Sequence, residues 1–135
     1  MIIMDRFVIL LIMLFLHIFA DFHLQGILAN LKQKKWWKEE LDKYGFSYHE
    51  KEFYEKDWIP ALIIHSFEWA FFMMIPALFT GVNIWLYLGL IVFNTLFHFI
   101  IDDLKCNKYM LNLVADQLFH FIQVLVTWCL IYVMG

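Results

Sequence analysis

Four stretches of the chain run for about twenty residues with few polar interruptions: Phe7 to Leu24, Ile59 to Thr80, Val82 to Ile101 and Tyr109 to Met134. A helix rises 1.5 Å per residue and a bilayer core is about 30 Å thick, so such runs predict four transmembrane helices. Between the first two the pattern changes. Ile27, Leu31, Trp37 and Leu41 recur at helical spacing opposite a lysine-rich face, Trp36 and Trp37 suit the headgroup layer, and Gly45 can end that helix. Ser47 stands three residues before Glu50, a capping box that opens a second helix ending near Trp58 and Pro60. The predicted fold is all-α: one integral membrane domain over residues 1–135, a four-helix transmembrane bundle with an amphipathic helical segment at 26–58.

Composition strengthens this reading, because 63% of residues are hydrophobic and 20% aromatic, more than a soluble fold of 135 residues could bury. Asp5 and Arg6 before the first run also fit a signal peptide, but bulky Ile18 sits where cleavage needs a small residue. The net charge of -3 carries no nucleic-acid footprint. Lysines 32, 34, 35, 38, 43, 51 and 56 lie between the first two runs, and Lys105 and Lys108 between the last two; only Arg6 opposes them. Basic loops stay in the cytoplasm, so both termini and the turn Thr80–Asn83 are expected outside. Cys106 and Cys129 are separated by roughly 30 Å of helix and cannot form a disulfide within one chain.

The apolar runs are interrupted by ionisable groups, each costing about 2.5–3.5 kcal/mol to insert. His17 and Asp21, His98 and Asp102, and Asp116 and His120 are each four residues apart, so each pair shares a helix face. His65 and Glu68, three apart, add a fourth face, while Asn94, and then Asn112, Gln123 and Thr127, continue two of the stripes. By helical rise the carboxylates and His65 lie within about 10 Å of the cytoplasmic boundary, and His17, His98 and His120 about 15 Å deep. The order His17, Asp21, His65, Glu68 is echoed by His98, Asp102, His120, Gln123, which reads as two copies of a helical hairpin about an axis along the membrane normal.

Histidines and carboxylates converging in a bundle core form a ligand set for Zn, Mn or Fe. His17, Asp21, His65, His98, Asp102, Asp116 and His120 are therefore the candidate ligands of a divalent transition metal. The bland alternative is polar glue between helices. His23 and His49 read as interface residues, Met73 and Met74 as ordinary packing, and Pro76 as a tolerated kink.

The string His17-Ile18-Phe19-Ala20-Asp21-Phe22-His23-Leu24-Gln25 resembles the HxxADFxxQ signature of a small bacterial and phage membrane family catalogued as domain of unknown function 3307. His65, then His98-Phe99-Ile100-Ile101-Asp102 with Lys105, then Asp116-Gln117-Leu118-Phe119-His120 follow in the family's order. The resemblance implies a bacterial inner-membrane fold with a polar site, and no activity. The segment from Gly26 to Trp58 departs from it in being longer. A more distant similarity is to small inner-membrane proteins named as candidate metal-dependent hydrolases.

The function these residues point to is metal-dependent hydrolysis of a lipid or phosphoester bond near the cytoplasmic leaflet. Glu68, Gln25 and Gln117 would support the ligands or contact substrate, and Lys105 would meet an anionic headgroup. The rivals are a proton- or cation-coupled transporter or channel subunit using the same groups, and a non-catalytic module whose segment 26–58 recruits a cytoplasmic protein. Membrane lipids are the expected partners, with a homodimer compatible with so small a bundle.

Overall fold

A computed structural model of the chain describes residues 5–134, and these are almost wholly helical. Helix α1 (Arg6–Phe19) starts where Asp5 accepts a hydrogen bond from Phe7 N, and it continues as a π-helical turn at Ala20–Leu24. Three short helices follow: α2 (Leu28–Leu31), α3 (Lys34–Lys43) and α4 (Tyr48–Tyr54). Helix α5 (Trp58–Met74) passes into a 3₁₀ stretch at Ile75–Phe79. That change of winding falls at Pro76, which lacks the N–H that an α-helix needs there and crowds the preceding turn. Helices α6 (Ile84–Cys106) and α7 (Leu113–Met134) complete the chain.

Four helices are thus long and apolar enough to cross a bilayer, as a multi-pass membrane protein requires. Their outward faces are apolar, with Leu11, Phe15, Phe67, Phe71, Leu88, Val92, Leu96 and Ile122 all exposed. Against lipid, burying such groups gains little, so packing and interhelical hydrogen bonds must hold the bundle together.

The interior is divided into three levels. Near the chain termini Ile9, Met13, Met73, Met74, Ala77 and Ile131 form a buried apolar core. A middle layer ties α6 to α7: Gln123 donates to the Asn94 backbone and side-chain oxygens at 2.9 Å each, and Thr127 Oγ1 donates to Asn94 Oδ1 at 3.0 Å. Toward the 25–57 segment, hereafter the insertion end, the interior becomes ionisable.

Several boundaries differ from expectation. Helix α6 runs on to Cys106, because Asp102, Asp103 and Lys105 are accommodated by ion pairs rather than expelled into a loop. Helix α7 begins at Leu113 rather than Tyr109, whose φ of 56° lies in the left-handed region. Asn112 therefore does not extend the polar stripe of α7; its side chain accepts from Ala115 N as a cap.

The expected helix from Ile27 to Leu41 is broken at Gln33, whose backbone is extended, and Ile27 is exposed. Asn107 clamps the break, accepting from Lys34 N and donating to Lys32 O. The capping box of Ser47 and Glu50 is present, but its helix stops at Tyr54. Lys51 bonds Asp42 at 2.6 Å, joining α4 to α3 and holding the Asp42 carboxyl below its ordinary value of 3.8. Cys106 and Cys129 are free thiols.

Candidate metal centre

Asp21 enters the bundle from the π-helical turn of α1, a local widening often found at functional sites. Gln25, one turn on, donates to both the backbone and the side-chain oxygen of Asp21. Helix α5 contributes His65, α6 contributes His98 and Asp102 from successive turns of one face, and α7 contributes Asp116 and His120 in the same way. All six are buried.

Asp21, His65, His98 and Asp102 form one group whose ligating atoms lie within 4.8 Å of one another. His65 Nε2 is 3.2 Å from His98 Nε2, 3.2 Å from Asp102 Oδ2 and 3.7 Å from Asp21 Oδ1, while His98 Nε2 is 3.7 Å from Asp102 Oδ2. Ligands bound at about 2.0–2.2 Å around a tetrahedral ion stand about 3.4 Å apart. These four separations bracket that spacing, so the group could hold a metal ion.

Asp21 also belongs to a second group, with Asp116 and His120. His120 Nε2 lies 3.4 Å from Asp116 Oδ1 and 3.5 Å from Asp102 Oδ1. Both Asp116 Oδ1 and His120 Nε2 are buried without a hydrogen-bond partner.

His17 stands beside these groups and in neither, because both its ring nitrogens are engaged. Trp69 Nε1 donates to Nδ1 at 2.8 Å, which places the ring proton on Nε2, facing Gln117 Oε1 at 3.2 Å. That contact orients the Gln117 amide, whose nitrogen donates to Asp21 Oδ2 at 2.7 Å and Asp116 Oδ2 at 3.0 Å. An indole, an imidazole and an amide thus hold two carboxylates in place. Aromatic rings seal the top of the centre, with Trp69 stacked on His98 at 4.3 Å and His98 on His120 at 4.2 Å.

Glu68 does not take part. Three residues on from His65, it is rotated about 60° off that face, Trp69 takes the inward place, and Glu68 is exposed. The proposed equivalence of Glu68 with Gln123, which is buried, fails for the same reason.

Lys32 was expected on the solvent face of the insertion, yet it is 5% exposed and its Nζ lies 2.5 Å from Asp102 Oδ2. Lys105 reaches Asp116 Oδ2 at 2.5 Å. Three carboxylates against two ammoniums leave a single negative charge before the imidazoles are counted. The carboxylates are therefore far better compensated than their sequence positions imply. No signal in the apolar pattern singles out Lys32 among its neighbours.

The partly exposed groups, Gln25, Lys105 and Gln117, all lie on the insertion side. A separate cleft of about 930 Å³ opens there, lined by Lys34, Lys38, Lys51, Lys56 and Trp58. Comparison of the chain with family models, with curated proteins and with solved structures gave no match in any of the three.

Proposed function

We propose that this chain is a membrane-embedded metal-dependent hydrolase that cleaves an acyl or phosphoester bond of a lipid near the leaflet on its insertion side. The observation that carries the reading is the spacing of Asp21, His65, His98 and Asp102, whose ligating atoms, drawn from three helices, lie within 4.8 Å of one another, four of the separations being 3.2–3.7 Å against about 3.4 Å around a tetrahedral ion. Polar glue needs pairs; it does not need four ligating atoms within 4.8 Å of one another. A divalent ion there would lower the pKa of a bound water toward about 7 and so supply a nucleophile at neutral pH.

The chain's own residues divide the remaining work. Gln25 and Gln117 fix the Asp21 carboxylate, Lys32 fixes Asp102, and Lys105, with its side chain 29% exposed, fixes Asp116 at the insertion end. The transporter reading requires polar groups on through the far half of the bundle. The ladder stops at Thr127, beyond which Ile9, Met13, Met74, Ala77 and Ile131 are buried and Tyr87 adds a single hydroxyl.

Elemental analysis of protein purified in detergent, alongside melting with and without chelator, tests the reading. Wild type should carry Zn, Mn or Fe and lose stability on chelation; His65→Ala and Asp102→Asn should lose the metal and the response to chelator. Metal-free wild type whose melting ignores chelator and added metal would discard the hydrolase in favour of proton relay or a structural role.

A further inference from the structure

Two features of the centre are left over once one ion is placed among Asp21, His65, His98 and Asp102. Asp116 Oδ1 and His120 Nε2 face each other at 3.4 Å, fully buried, and neither has a hydrogen-bond partner. Their contacts are ion-pair separations of 3.4–3.5 Å without hydrogen-bond alignment, and each atom is a good ligand for the same kind of ion. They also adjoin the first position. Asp21 is common to both groups, and Asp102 faces both ways, with Oδ2 at 3.2 Å from His65 Nε2 and Oδ1 at 3.5 Å from His120 Nε2.

We infer that the centre is built for two divalent cations, the first held by His65 and His98, the second by His120 and Asp116, with the carboxylates of Asp21 and Asp102 lying between them. This rests on the metal reading above and extends it. A carboxylate shared by two ions holds them a few ångströms apart, the separation at which paired metals clamp the attacking and leaving oxygens of a displacement at phosphorus. Charge points the same way. Two divalent ions convert the single negative charge of the three carboxylates and two ammoniums into three positive ones, a field that draws an anion into the pocket. A phosphoester is therefore the substrate class that fits, in preference to a neutral carboxylic ester. Gln117, which donates to both Asp21 and Asp116, is then the residue that keeps the two halves in register.

The test is the number of ions per chain, read by elemental analysis after loading with Mn(II) and removal of excess, together with the electron paramagnetic resonance spectrum of the same sample. Two Mn(II) per chain with an exchange-coupled spectrum is the expected result, falling to one uncoupled ion in His120→Asn. Inorganic phosphate should raise the melting temperature of the loaded protein and leave that of the chelated protein unchanged. One uncoupled ion in wild type overturns the two-ion centre and leaves the metal reading standing; none overturns both. Two ions retained by His120→Asn would also overturn the assignment, and a loaded protein indifferent to phosphate would remove the phosphoester. Because the wild-type spectrum alone separates one ion from two, failure of the variant to fold does not remove the test.

Discussion

Taking away the Lys32 ammonium would leave Asp102 with one buried charge short of a partner, and breaking such a pair by removing one member costs about 3–5 kcal/mol. A metal ion on Asp102 would take over part of that compensation. Lys32→Met should therefore lower the melting temperature of chelated protein far more than that of metal-loaded protein, a difference visible in paired melting curves; equal losses would mean that no ion shares Asp102. Sequence periodicity could not single out this lysine. Across Ile27 to Leu41 it falls on the polar side of one continuous helix, but the extended backbone at Gln33 separates Leu28–Leu31 and its cap Lys32 from α3, so that single register does not hold. Asp21, Asp102, Asp116 and their histidine neighbours were legible for the opposite reason: charge inside an apolar run has few places to go. The role of His17 was not, because Trp69, an unremarked aromatic in an aromatic-rich span, captures its Nδ1.

Element ends obey local rules that the sequence displays, provided the ends are solvated. Gly45 closes α3 with φ of +68°, and Ser47 and Glu50 open α4, both as their residue types foretell. A Cβ at Gly45 would meet nothing within 4 Å, so Gly45→Ala carries only the conformational cost of the left-handed region, about 1 kcal/mol. That loss should appear as faster hydrogen exchange in α3, with exchange in α6 and α7 unchanged, because short peripheral helices open independently of a packed bundle. Spreading of the effect to α6 would show instead that the insertion and the bundle unfold as one unit. The ends that misled are those where polar side chains found buried partners. The C-terminal turn of α6 holds Asp102, Asp103 and Lys105, each in an ion pair, so a hydropathy boundary at Ile101 cut the helix short.

At the scale of the whole molecule the orientation in the bilayer follows from charge, and the structure changes how that charge should be counted. Nine lysines flank the insertion end and only Arg6 flanks the other. Two of the nine, Lys32 and Lys105, are consumed by Asp102 and Asp116 within the bundle and present little charge to the headgroups. The seven that remain still outnumber Arg6, which itself lies over the Tyr132 ring at 5.0 Å, so the lysine-rich end is expected to stay in the cytoplasm. Single cysteines introduced at Lys43 and at Trp85, both exposed and at opposite ends of the bundle, report on this once Cys106 and Cys129 have been replaced by alanine. A membrane-impermeant maleimide added to intact cells should label Trp85→Cys and spare Lys43→Cys, with the second labelled only after the cells are opened. The reverse pattern would place the His/Asp cluster at the outer leaflet, since Gln25, Gln117 and Lys105 all lie toward the end that carries Lys43. The proposed hydrolysis would then act on that leaflet, the far level around Met13 and Met73 being lined by apolar side chains and the Tyr87 hydroxyl.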